Sequence, residues 1–192
     1  MVGRTKLAKN NYDIDMVKEV YLDDRHFEYH LRQFHEPYCS TIHLCNFVKL
    51  VKRIIDVSLP YKAIDVGCRG TANIFHLSKL LPKTSWVGLD WADKFFELGK
   101  KFMKNVNCHF IKGDFYKLEK IFGEKSFDLV FSIQTLSWLP RYEEALEQLL
   151  KISRGWVFVT SLFTDFHVDV ISKVFQNIKN KNGWKRILSL LL

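Results

Sequence analysis

Ala63-Ile-Asp-Val-Gly-Cys-Arg-Gly-Thr-Ala-Asn-Ile-Phe-His-Leu77 is the stretch whose reading decides the fold. It opens as a short apolar run broken by one acid, the pattern of a buried strand. Gly67 and Gly70 mark a tight turn, and the apolar residues after Thr71 recur at helical spacing. A second apolar run, Trp86-Val-Gly-Leu-Asp90, ends on a carboxylate. Strand, glycine turn, helix and a second strand closed by an acid make a nucleoside-binding half-fold. The turn lets backbone N–H groups approach a ligand, and the acid accepts hydrogen bonds from ribose hydroxyls.

Outward from this unit the two periodicities keep alternating. The spacing predicts strands over 62–67, 85–90, 108–112, 127–133 and 156–162. It predicts helices over 72–81, 92–104, 118–122 and 142–153, with Gly155 as the breaker after the last of them. Near-continuous apolar strands alternating with helices specify the α/β class. The expected form is a three-layer Rossmann-like sandwich, a mainly parallel sheet with helices on both faces. Upstream, 1–12 read as a loose arm and 13–36 as one or two amphipathic helices. Ser40 or Thr41 caps a further helix over about 42–57, ended by Ser58-Leu-Pro60. Downstream, 167–176 suits a strand or a helix, and Ile187-Leu-Ser-Leu-Leu-Leu192 is an apolar tail.

Composition narrows the function classes. No run approaches 18 uninterrupted apolar residues, so no membrane-spanning helix is expected. The N-terminal ten residues are charged and lack the apolar centre of a secretory signal. Cys39, Cys45, Cys68 and Cys108 form no CxxC pair, which fits free thiols in a reducing, cytoplasmic setting. The net charge of +8 would attract nucleic acid or other anions. The basic residues are nevertheless scattered and not gathered in one stripe, which weakens that reading. His30, His35, Cys39, His43 and Cys45 match no compact zinc spacing, so no metal is expected.

Four segments in order, Ala63-Ile-Asp-Val-Gly-Cys68, Val87-Gly-Leu-Asp90, Ile111-Lys-Gly-Asp-Phe115 and Phe127-Asp-Leu-Val-Phe-Ser-Ile133, together resemble the class I S-adenosylmethionine-dependent methyltransferases. The resemblance covers roughly residues 40–163. It implies S-adenosylmethionine as cofactor and gives each motif a role. Asp65, Gly67 and Cys68 match the first motif, where the turn passes under the methionine part and the carboxylate places its amino group; the alternative for Asp65 is a strand-end cap. Asp90 matches the acid that takes the ribose hydroxyls, with Trp91 beside it to pack on adenine; the alternative is an ordinary loop aspartate. Asp114 matches the acceptor for the adenine amino group, with the Phe115 backbone nearby; the alternative is a simple turn. Gln134 ends the fourth strand, at one wall of the transfer site. Arg32–Thr41 resembles a helical lid of small-molecule and sugar methyltransferases, in which Gln33 and Thr41 close over the cofactor; the alternative is a solvated helix–turn–helix. Ser137-Trp-Leu-Pro140 resembles a loop that touches substrate, with Trp138 as a core residue the alternative.

Two departures stand out. The family's turn reads roughly Asp-x-Gly-x-Gly-x-Gly, whereas its second and third glycines fall here on Arg69 and Thr71. Arg69 then either crowds the cofactor or reaches over it, or the turn shifts so that Gly70 takes the second role. The family's sheet also continues past the fifth strand into a hairpin that the remaining length leaves incomplete. An uncovered edge there invites dimer formation. The organisation implied is one domain over 1–192: a lid segment (1–58), a Rossmann-like core (59–163) and a variable C-terminal segment (164–192). The function implied is methyl transfer to an oxygen or nitrogen of a small molecule, a sugar or polysaccharide precursor among them. An RNA methyltransferase and a non-catalytic binding subunit of the same fold are the rivals. No base is assigned; Tyr38 and His35 are the candidates. The Ile133-Gln-Thr-Leu136 stretch lacks the Asn-Pro-Pro-Tyr-type motif of amino-methylating nucleic-acid enzymes.

Overall fold

The structure, a computed structural model, describes residues 24–36 and 42–161. Five strands form one sheet: β1 (Lys62–Val66), β2 (Ser85–Asp90), β3 (Cys108–Lys112), β4 (Phe127–Ile133) and β5 (Ser153–Thr160). Their order is β3-β2-β1-β4-β5, and every pairing is parallel. Six helices accompany them: α1 (Asp24–His35), α2 (Ile42–Ile54), α3 (Ala72–Leu80), α4 (Phe96–Phe102), α5 (Leu118–Phe122) and α6 (Tyr142–Ile152).

Alternation along β1 distributes its side chains to two cores. Ala63 faces a cluster with Phe47 and Val51 of α2, Ile74 and Leu77 of α3 and Phe96 of α4. Ile64 and Val66 face a second cluster with Leu118 of α5 and Ala145, Leu149 and Ile152 of α6. The three residues of α6 recur at helical spacing, so one apolar stripe meets the sheet. Both sheet faces are covered, as parallel strands require.

Several boundaries differ from the sequence reading: β5 runs Ser153–Thr160 against the predicted 156–162, and α2 ends at Ile54 against about 57. The helix predicted over 92–104 begins as a 3-10 turn at Asp93–Phe95 and becomes α-helical only at Phe96. Gly155 does not break a helix: α6 passes straight into β5 at Ser153, and Gly155 lies inside the strand. Its role is steric, because a β-carbon there would lie 2.5 Å from the Asp128 carbonyl oxygen, beside the register irregularity between Phe127 and Leu129. Tyr38, Ser40, Thr41 and the readings beyond 161 lie outside the described residues.

Helix α1 docks on the core through aromatics. Phe34 is buried, stacks on Phe102 at 4.3 Å and tilts against Phe75 at 5.2 Å. His76 of α3 donates from Nε2 to the Gln33 carbonyl at 2.7 Å, and burial holds its pKa below the ordinary value, keeping the ring neutral.

Candidate active site

In an open α/β sheet a ligand crevice forms where crossovers leave in opposite directions from neighbouring strands. Here that point lies between β1 and β4, from which the chain goes on to β2 and β5. The glycine turn after β1 stands at its mouth. The N–H groups of Gly67 and Cys68 both donate to Leu89 O, at 2.8 and 3.1 Å, and Arg69 N–H donates to Asp90 Oδ2 at 2.8 Å. This corrects the expectation that the turn offers its N–H groups to a ligand: these three are spent on the end of β2.

The backbone alternates through the left-handed region at the family's glycine positions, with φ of 81° at Gly67, 41° at Arg69 and 67° at Thr71. The shifted turn with Gly70 in the second role is therefore not adopted. Arg69 takes that conformation itself, one that L side chains rarely occupy. Gly70 is needed for close approach instead, since a β-carbon there would lie 2.7 Å from Cβ and Cγ of His30 on α1. Thr71 precedes α3 but makes no capping hydrogen bond, because its side chain is buried against Gly99 of α4.

Asp65 is fully buried, and among the described residues neither of its oxygens closes a hydrogen bond. Burial, then the charge of Asp90, push its pKa up to about 7, while the nearby Asn73 amide pulls the other way. Asp90 is also buried, but its carboxylate is met by backbone N–H groups: Ala92 on Oδ1 at 2.9 Å and Arg69 on Oδ2. Burial raises its pKa, and these donors and the Arg69 charge oppose the rise.

The remaining site residues sort by position. Trp91 follows Asp90 with its side chain partly exposed. Asp114 caps the 3-10 turn Phe115–Lys117 by accepting from Tyr116 N–H at 3.0 Å, and pairs with Lys117 at 3.3 Å. Phe115 is buried in the α5/α6 core. Gln134 stands exposed beyond β4 in the left-handed region, φ 56°, its N–H bonded to Thr160 O at 2.7 Å. Gln33 joins α1 to α3 through its carbonyl, and its Oε1 lies 3.0 Å from His30 Nδ1. His35 rests edge-on against Phe102. Trp138 is 68% exposed, which excludes its reading as a core residue. Sequence reasoning missed Thr135, His30 and Phe95. Thr135 covers Gly67, His30 packs on Gly70, and Phe95 lies edge-on to His30 at 5.1 Å beneath Arg69. Only tertiary packing brings them to the turn, so no local pattern marks them.

The residues suit a nucleoside with a cationic amino-acid end. Asp65 is a buried carboxylate wanting a donor, Asp90 is a fixed carboxylate at the end of β2, and Gly67 leaves the turn without a side chain. Residues 63–154 match a family model described as a methyltransferase domain. For that stretch the match supports the class I S-adenosylmethionine-dependent methyltransferase family. Over 149 residues this chain is 24% identical to the malonyl-[acyl-carrier protein] O-methyltransferase of Bacillus cereus, covering 76% of the chain and 53% of the relative. It thus spans about half the length of that curated relative. Its fold is similar to a SAM-dependent methyltransferase of Aquifex aeolicus, with a TM-score of 0.50 and 17% identity over 59% of this chain and 62% of that one. It is similar also to the trans-methyltransferase CalH in complex with SAH, with a TM-score of 0.55 and 18% identity over 73% of this chain and 41% of that one.

Proposed function

We propose that this domain transfers a methyl group from S-adenosylmethionine to an oxygen or nitrogen of a small-molecule acceptor, a sugar or polysaccharide precursor among the candidates. The observation that carries the reading is Asp65, a fully buried carboxylate at the end of β1 whose pKa burial and the Asp90 charge push up to about 7 against the pull of the Asn73 amide. A buried carboxylate is costly, and a site that keeps one is built for a donor from outside. Bound S-adenosylmethionine supplies a sulfonium methyl group to a nucleophile. Asp65 would hold the amino group, Asp90 the ribose hydroxyls and Asp114 the adenine amino group, while Gly67 lets Thr135 of the loop after β4 close on the turn. Orientation of the two reactants supplies much of the acceleration, so a dedicated base is not required. Exposed Trp138, on the loop after β4, is the candidate contact for the acceptor. Among the described residues Cys45, Cys68 and Cys108 form no disulfide with one another, in keeping with a reducing setting. Among the described residues no helix is long and apolar enough to cross a membrane.

Calorimetric titration with S-adenosylmethionine and S-adenosylhomocysteine tests the reading. Micromolar binding abolished by Asp90→Ala supports it and opens an acceptor screen by methyl-label transfer. Folded protein with no affinity for either ligand overturns it. A second reading, a non-catalytic binding subunit, is favoured by side chains at two left-handed turn positions, Arg69 and Thr71. It predicts binding without turnover on any acceptor. Salt-sensitive RNA binding would point to an RNA acceptor instead.

A further inference from the structure

We propose that Arg69 is a cofactor-binding residue, whose guanidinium takes the α-carboxylate of the cofactor's amino-acid end. This rests on the S-adenosylmethionine reading above. The backbone of Arg69 is held rigidly, in the left-handed region at φ 41° and with its N–H on Asp90 Oδ2 at 2.8 Å. A side chain leaving so fixed a point has few directions open to it. The one it takes brings Cζ to 5.7 Å from the centre of the buried Phe95 ring. A planar, weakly hydrated guanidinium suits an aromatic neighbour and grips a carboxylate with two parallel N–H groups, which a lysine ammonium does not. The lean toward Phe95 carries the side chain to the β2 side of the turn, away from the Gly67–Thr135 contact on the β4 side.

Charge complementarity gives the position its purpose. The amino-acid end of the ligand is a zwitterion. Asp65 matches its ammonium, yet the same neighbourhood holds a second carboxylate, Asp90, and would repel the ligand's own carboxylate. Arg69 places a cation in the turn, beside Asp90. Lys94 Nζ also lies near Phe95, at 5.3 Å, but it extends from the turn after β2 on a flexible stem. Arg69 is the cation whose backbone belongs to the glycine turn itself.

Arg69→Gly tests this well, because glycine is the residue that a left-handed position accepts most readily. The variant is expected to unfold in urea at or above the wild-type midpoint. Binding is read by calorimetry with S-adenosylhomocysteine, S-adenosylmethionine and decarboxylated S-adenosylmethionine, which keeps the ammonium and lacks the carboxylate. The expected result is affinity for the first two weakened roughly 10- to 100-fold, the worth of one charge-assisted contact. Decarboxylated ligand should bind wild type and variant alike, and Arg69→Lys should fall between them. Equal or tighter binding of S-adenosylhomocysteine by Arg69→Gly would show that the side chain only crowds the turn, and an equal loss for all three ligands would show a merely structural role; either overturns the proposal. Wild type that binds none of the three overturns the cofactor reading itself, and the role of Arg69 with it.

Discussion

Thr135 closes the space above Gly67: a β-carbon added at Gly67 would lie 2.5 Å from both Oγ1 and Cγ2 of Thr135. The Thr135 hydroxyl is held in place between two carbonyls, at 3.5 Å from Gly67 O and 3.3 Å from Ile133 O. The loop after β4 thus rests directly on the turn after β1. The two walls of the crevice are one packed unit, and their separation depends on a residue without a side chain.

Gly67→Ala should therefore fail twice. It forces an L side chain to φ 81°, which costs about 1–2 kcal/mol, and it drives a methyl group into Thr135, a further ~1–3 kcal/mol by overpacking. Urea unfolding should show a combined loss of about 2–5 kcal/mol. Adding Thr135→Gly should return the steric part and leave the backbone part. Full recovery, or none, would show that one of the two causes is absent.

Thr71 and Gly99 form a second steric pair, between the glycine turn and α4. A β-carbon at Gly99 would collide with the Thr71 hydroxyl. Gly99→Ala should destabilise the protein in wild-type background and have little effect, or a favourable helix-propensity effect, when Thr71→Gly is also present. The two changes touch one another, so their effects should be strongly non-additive. Simple additivity in thermal unfolding would refute the contact.

What the sequence disclosed follows from the range of the forces involved. β2 and β4 begin and end where the apolar runs do, because buried parallel strands write their burial directly into composition. The order of Asp65, Gly67 and Asp90 along the chain disclosed the strand–turn–helix unit and the strand after it, because that unit is local. The fate of the turn's N–H groups was hidden. Whether Gly67, Cys68 and Arg69 donate to a ligand or to Leu89 and Asp90 is decided across β1 and β2, 21 residues apart for the Arg69–Asp90 bond. The same holds for Gly155, which reads locally as a helix breaker and is in fact fixed by the carbonyl of Asp128 on the neighbouring strand. Arg69 and Thr71 show the converse: the backbone keeps the left-handed path although the residues that favour it are gone.

The hydrogen bond from His76 to the Gln33 carbonyl makes its own prediction. It ties α1 to α3 at a half-buried site, beside the Phe34, Phe75 and Phe102 cluster. His76→Leu removes the donor and leaves a helix carbonyl unmet, at a cost of about 1–3 kcal/mol. The loss should be local. Hydrogen exchange over 24–36 should accelerate while exchange in β1 and β4 stays slow, since α1 packs on the α3 and α4 surface and contributes no strand. Equal acceleration throughout would mean that α1 and the sheet open together.

Asp65 sets the pH dependence. Its pKa rises from the ordinary carboxylate range to about 7 in the folded protein. Between about pH 4 and 7 the folded state therefore holds a proton that the unfolded state has lost, so stability from this group is full at acid pH and declines as pH rises to 7. A shift of that size corresponds to a few kcal/mol, on the order of 1.4 kcal/mol per pH unit. The neighbouring thiols do not interfere, because burial pushes Cys68 well above the usual range and Cys108 up to about 12. The comparison with Asp65→Asn removes this titration together with its coupling to Asp90. The variant should lose the decline between pH 4 and 7 and should be the more stable of the two at pH 8. It should also bind S-adenosylhomocysteine at least tenfold more weakly, because the neutral amide no longer meets an ammonium with opposite charge. Greater stability with unchanged affinity would separate Asp65 from the cofactor and leave it a buried acid with no ligand to justify it.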